Sequence, residues 1–121
     1  MLPPLKIFVM TQTGETAIVT PVGDATAFRY QDLQAEANTV RGHFGRGRAK
    51  HLVINLSSLN YFGSEFIGSL VSMARDVKGR GGTAVICAAS DQMVEVLQNM
   101  SLFNLWPYFE TEDEALAAIP S

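Results

Sequence analysis

The sequence is poor in the residues that most often carry chemistry: one cysteine and two histidines in 121 residues. A lone Cys87 closes no intramolecular disulfide. Together with His43 and His51 it is too small a set for an ordinary closed zinc site. Long apolar runs are missing as well. No stretch approaches the ~20 residues of a membrane span. Met1-Leu-Pro-Pro-Leu-Lys6 lacks the charged start and apolar core of a signal peptide. Charge is sparse, at 17% of residues, and nine Lys plus Arg against twelve Asp plus Glu leave a net charge of -3. That balance excludes a globally basic nucleic-acid binder. The expectation is a cytoplasmic protein with no nucleic-acid partner and no direct membrane insertion.

The common catalytic signatures are also absent. There is no P-loop, no H-E-x-x-H and no G-x-S-x-G. Gly45-Arg46-Gly47 lacks the third glycine of a dinucleotide fingerprint and does not follow a strand. No enzyme activity, cofactor or metal is expected. His43 and His51 flank a basic run with no nucleophile nearby in sequence, and read as surface or strand-end histidines. Cys87 sits inside an apolar strand, where a thiol is ordinarily inert packing.

What is present is a core. Hydrophobic residues make up 47% of the chain, enough for one domain over residues 1–121, with no linker or repeat. Lys6–Gln12 and Thr16–Val22 are β-type runs across Thr13-Gly14-Glu15, a hairpin pattern. Pro21 marks an edge or a strand terminus. Leu33, Ala37, Val40 and Phe44 fall on one face of a helix that ends among Gly42, Gly45 and Gly47. His51–Leu56 and Thr83–Cys87 are short continuous apolar runs, suited to strands buried on both sides. Between them Ile67, Leu70, Val71, Ala74 and Val77 hold a helical period, with Ser64 placed to cap it. Ser90 caps a helix carrying Met93, Val96, Leu97 and Met100. Trp106–Phe109 is a last extended segment. Thr111-Glu112-Asp113-Glu114 is a capping box for a final helix reaching Ile119. The order β-β-α-β-α-β-α-β-α predicts an α/β domain: a mixed, mostly parallel sheet of about five strands with about four helices.

Two charged runs have plain explanations. Arg41, Arg46, Arg48 and Lys50 are interleaved with glycine and read as a solvated loop. Glu110, Glu112, Asp113 and Glu114 complement a helix N-terminus. The more suggestive segment is Leu52 to Leu70, which runs strand, loop, serine, helix. It places Ser64 past the C-terminal edge of the sheet, where α/β proteins gather their sites. It also places Ser64 at a helix start, whose free N–H groups and dipole favour an anion. A phosphate there would be tolerated and would add up to two negative charges to an exposed surface.

At these residues the sequence resembles the STAS domain, shared by sulphate transporters and anti-sigma factor antagonists. The resemblance runs from about Lys6 to Ile119. Leu52-Val-Ile-Asn-Leu-Ser57 resembles the family's strand. Tyr61-Phe-Gly-Ser-Glu-Phe-Ile-Gly-Ser-Leu70 resembles its Asp-Ser-x-Gly-Leu switch loop and the helix after it. Val77–Ile86 resembles the helix end, glycine turn and strand that follow, and Val96–Phe103 with the stretch to Ala118 resembles the closing elements. The resemblance implies a regulator in which a partner that is both anti-sigma factor and serine kinase phosphorylates Ser64. Gly63 stands where the family usually has Asp, Phe66 where it usually has Gly, and Asn55 where an Asp is common.

The expected partner-binding set is Asp24, Asn60, Gly63, Ser64, Glu65 and Phe66, all at one end of the sheet. Phe66 has two fates, core or exposed anchor for the partner. Two other readings stand beside the switched regulator. One is a constitutive STAS scaffold subunit of a signalling or membrane transport complex, unphosphorylated because Gly63 replaces the acid. The other is an enzyme or a small-ligand carrier. The sequence leaves the oligomeric state open.

Overall fold

A computed structural model describes residues 7–22, 30–58 and 64–119, with main chain alone at 30, 31, 64 and 65. Among them run β1 (Phe8–Thr13), β2 (Thr16–Pro21), α1 (Tyr30–Gly45), β3 (His51–Asn55), α2 (Ser64–Gly79), β4 (Ala84–Cys87), α3 (Asp91–Asn99), β5 (Tyr108–Phe109) and α4 (Glu112–Ala117). The strands form one sheet in the order β1-β2-β3-β4-β5. The β1–β2 hairpin is antiparallel, and every later pairing is parallel. The expected architecture and element order are therefore observed. One element was not expected, a 3-10 turn at Leu102–Asn104 ahead of β5.

The hairpin turns on Gly14 and Glu15. Gly14 takes φ +59 and Glu15 does not go positive, the pattern of a type II′ turn that suits strand twist. Pro21 lies at the end of β2, beyond the pairing with β3, which stops at Val19↔Ile54. Its missing N–H therefore costs that ladder nothing.

The short apolar strands do face two ways. Ala17, Val19, Leu52, Ile54, Ala84 and Ile86 join the larger core with Leu33, Val40, Phe44, Leu70, Met73 and Leu97 from α1, α2 and α3. Their alternates Ile18, Val53, Val85 and Cys87 join a smaller core with Ala115, Leu116 and Ile119. Three helices thus cover one face, and α4 covers β3, β4 and β5 on the other. This double burial is why β3 and β4 have no polar face.

Polar ties reach across the chain. Glu36 of α1 accepts from the Ile7 N–H at 2.7 Å and the Phe8 N–H at 3.3 Å, holding the start of the edge strand. The Gln12 amide nitrogen donates to the carbonyls of Gly14 and Arg48 at 2.9 and 2.6 Å. Its oxygen therefore faces His43, whose Nε2–H donates to it at 2.7 Å. His43 is 4% exposed and His51 7%. The surface reading of His43 is corrected: the hairpin covers it, and burial, aided by Arg46 and Arg48, lowers its pKa. The caps read from sequence are present at Ser90, which accepts from the Met93 N–H, and at Thr111, which accepts from the Glu114 N–H.

A Cβ on Gly82 would lie far inside contact distance of the Lys50 carbonyl oxygen and 2.9 Å from Val77 Cγ1. The chain after α2 passes that closely over the entry to β3. Gly68, on the exposed side of α2, has open space around it. Gly82→Ala should lower unfolding free energy in urea by about 2–4 kcal/mol. Gly68→Ala should raise it by about 0.5–1 kcal/mol. Similar effects at the two positions would contradict this packing.

Candidate functional site

Strands β2, β3 and β4 all end at one edge, at Pro21, Asn55 and Cys87. The segments that follow β2 and β3 leave from it. Asp24, Asn60 and Gly63 lie outside the described residues. The chain re-enters at Ser64, the first residue of α2, one position inside the cap read from sequence. The first-turn N–H groups of a helix lack intrahelical partners at that position too.

Phe66 requires a correction. It is 2% exposed, and its ring lies 5.7 Å from that of Phe8, tilted by 44°. In the first turn of α2, the side chain packs into the larger core. It is not an exposed anchor for a partner. Burying such a ring stabilises the fold by several kcal/mol, about 3–5 by the cost of Phe→Ala in cores. An aromatic replacing the usual glycine here is packing against β1.

The stem of the loop is held by Asn55. Its Oδ1 accepts from the Ser57 N–H at 2.9 Å, and its Nδ2 donates to Glu112 Oε1 at 2.9 Å. The second bond spans 57 positions of sequence and joins the end of β3 to the first turn of α4. The Leu56 N–H donates to the Cys87 carbonyl at 3.0 Å, completing the edge. Cys87 itself is fully buried, and its thiol is pushed up to about 12, by burial first and by the Glu112 carboxylate second. A thiol so protonated is no nucleophile. At the end of β4, Ala88 takes φ 61, a left-handed conformation that costs a non-glycine residue about 1–2 kcal/mol. The Ala88 N–H donates to the Phe109 carbonyl, which ties this turn to β5.

The edge thus offers a helix start and a braced loop stem. Among the described residues no group of three or more His, Cys, Asp and Glu side chains could hold a metal. No described helix is long and apolar enough to cross a membrane.

Residues 8–115 match the STAS domain family model. The chain belongs to the STAS domain family. Among curated proteins, the anti-sigma F factor antagonist of Paenibacillus polymyxa is 23% identical over 74 residues, 61% of this chain and 63% of that protein. The match thus spans somewhat under two thirds of that relative. An anti-sigma-factor antagonist STAS domain protein from Planctomyces limnophilus superposes with a TM-score of 0.76 at 26% identity, covering 94% of this chain and 98% of that one. Unphosphorylated SpoIIAA, an anti-sigma factor antagonist, superposes at 0.71 with 19% identity, covering 91% and 94%. The STAS fold is an anti-sigma factor antagonist-like one.

Within that family the pairing of Asn55 with Glu112 explains a departure. An aspartate at 55 would set two carboxylates against each other across a bond now 2.9 Å long. The sequence had flagged Asn55 and read Glu112 as a helix-start acid, but their contact needs the sheet to bring β3 and α4 together. Asn55→Asp should lower stability at pH 7 by about 1–3 kcal/mol, through the lost charge-assisted bond and like-charge repulsion. Repulsion raises the folded-state carboxyl pKa above its unfolded value, so the native state binds more protons. The penalty should therefore shrink as pH falls through that raised pKa. Adding Glu112→Gln should restore stability at pH 7, by urea denaturation. An unaffected Asn55→Asp single variant would contradict the brace.

Proposed function

We propose that this STAS domain is a non-enzymatic, protein-binding regulator of the anti-sigma factor antagonist kind. Its partner is an anti-sigma factor that is also a serine kinase, and Ser64 is the switch. The carrying observation is the place of Ser64: the first residue of α2, entered from the C-terminal edge of the central strand β3. A helix start tolerates a phosphate, because free N–H groups and the dipole both favour negative charge there. SpoIIAA has been solved in phosphorylated as well as unphosphorylated form, which supports reading the same switch here.

In this reading the unmodified chain docks through the C-terminal edge of β3, with Asp24, Asn60, Gly63, Ser64 and Glu65 as the binding set. The partner then transfers the γ-phosphoryl group of ATP. A bond forms from Ser64 Oγ to phosphorus, the bond to the ADP leaving oxygen breaks, and the serine proton passes to a base on the kinase. The added charge of about -1.5 to -2 would expel a complementary apolar or acidic surface. Such a partner places the protein in the cytoplasm. Gly63 favours a second reading, a constitutive scaffold, since the acid that usually precedes the serine is absent.

Incubation with the anti-sigma kinase and ATP, followed by peptide mass spectrometry, separates the two. The switch predicts one phosphate on Ser64, none in Ser64→Ala, and binding of Ser64→Asp at least about tenfold weaker than that of Ser64→Ala. No phosphate, with Ser64→Ala and Ser64→Asp binding equally, would overturn the switch and leave the scaffold. Gly63→Asp would then be the variant expected to regain phosphorylation.

A further inference from the structure

The edge of the sheet opposite Ser64 has a cleft of its own. The parallel strands begin there, at Thr16, His51 and Ala84. About 550 Å³ lies between the hairpin turn, the Lys50–His51 corner, the Gly81–Thr83 segment and the far end of α4. That volume suits a small molecule. Leu116 and Ile119 supply an apolar wall, and threonines 13, 16 and 83 line the other side.

The backbone donors of residues 50–51 and 81–83 beside this cleft are spent. The Lys50 and His51 N–H groups both donate to the Glu15 carbonyl, at 2.7 and 3.1 Å. Those of Gly81 and Gly82 go to the carbonyls of Lys78 and Val77. The Thr83 N–H donates to His51 Nδ1 at 3.0 Å. That last bond sets the histidine: Nδ1 accepts, so Nε2 carries the proton. His51 is 7% exposed and lines the cleft, and its Nε2–H has no partner among the described residues. Among the described residues the one fully buried side-chain polar atom without a partner is Trp106 Nε1, so His51 Nε2 opens to the cleft, where water or a ligand supplies its acceptor. Beside it stands the exposed Lys50.

The cleft's own lining carries one cation, Lys50, and one acid, Glu15. Outside that lining, α1, the last turn of α2 and the loops after them carry Arg41, Arg46, Arg48, Lys78 and Arg80. Arg80 is held by Asp76 at 3.3 Å, and Lys78 donates to the Leu105 carbonyl at 2.9 Å. Both of these complement the α2 C-terminus. Lys50 lies five positions past the end of α1, outside the last turn where a helix dipole acts. Lys50 and Glu15 line both this cleft and a second one of about 360 Å³.

We propose that this cleft binds a small organic anion: one carboxylate or phosphate head, held by Lys50 and His51 Nε2–H, on a short apolar body lying against Leu116 and Ile119. The site is separate from Ser64 and stands or falls independently of the phosphorylation switch.

Amide chemical-shift titration of the ¹⁵N-labelled protein tests it, with hexanoate and hexyl phosphate as probes and inorganic phosphate and hexanol as the separated halves. Saturable shifts at Gly14, Thr16, Lys50, His51 and Gly81 are expected, and the tighter probe identifies the preferred head. Each half alone should bind at least about tenfold more weakly. Lys50→Gln should weaken the preferred probe by a similar factor. So should His51→Asn, whose Oδ1 can still accept from the Thr83 N–H. No saturation at millimolar probe would overturn the proposal. So would equal binding of inorganic phosphate, which would mean diffuse attraction to a basic edge, or unchanged affinity in both variants.

Discussion

The double burial of β3 is the constraint on which the rest depends. Leu52 and Ile54 face α1, α2 and α3, while Val53 faces α4. Every residue from His51 to Ile54 is buried, so a slip of one residue would exchange the two cores. With register so held, both ends of β3 stand at fixed places. Asn55 ends at the edge that carries Ser64, and His51 begins at the opposite edge, where it lines the 550 Å³ cleft. Each end residue then spends its side chain on fixing its surroundings: Asn55 on Ser57 and Glu112, His51 on Thr83.

The two edges differ in kind. The C-terminal edge combines a helix start with loops that leave from β2 and β3, an arrangement suited to protein contact and to a modification that adds charge. The opposite edge holds a cleft lined by Lys50, Glu15 and a histidine whose Nε2–H no described residue accepts. A phosphate at one and an organic anion at the other would be recognised by different means: a helix start in the first case, side chains in the second. Glu112 is the one acid of the α4 start that also reaches the sheet, through Asn55. The braced loop stem is thereby coupled to the helix that forms the wall of the far cleft.

Much of the architecture was legible because periodicity and punctuation agree with it. The stripe Leu33, Ala37, Val40 and Phe44 is buried in α1, the caps at Ser90 and Thr111 form, and Gly14 turns the hairpin. What was not legible depends on partners distant in sequence. A continuous apolar run does not say which residue faces which layer. The burial of His43 needs Gln12, 31 positions away, and that of Phe66 needs Phe8. The 3-10 turn at Leu102–Asn104 carries no periodic signal, being shorter than one period of the pattern. Of the site residues named from sequence, Ser64 sits at the expected edge and Phe66 belongs to the core.

The proposed function makes the C-terminal edge of β3 the partner surface. Amide hydrogen exchange, compared with and without a bound anti-sigma factor, tests it most directly. Slowed exchange over residues 57–70, with Glu15 and Lys50–Leu52 unchanged, is the predicted result. Slowing at the hairpin turn and the basic edge, with none over residues 57–70, would contradict it.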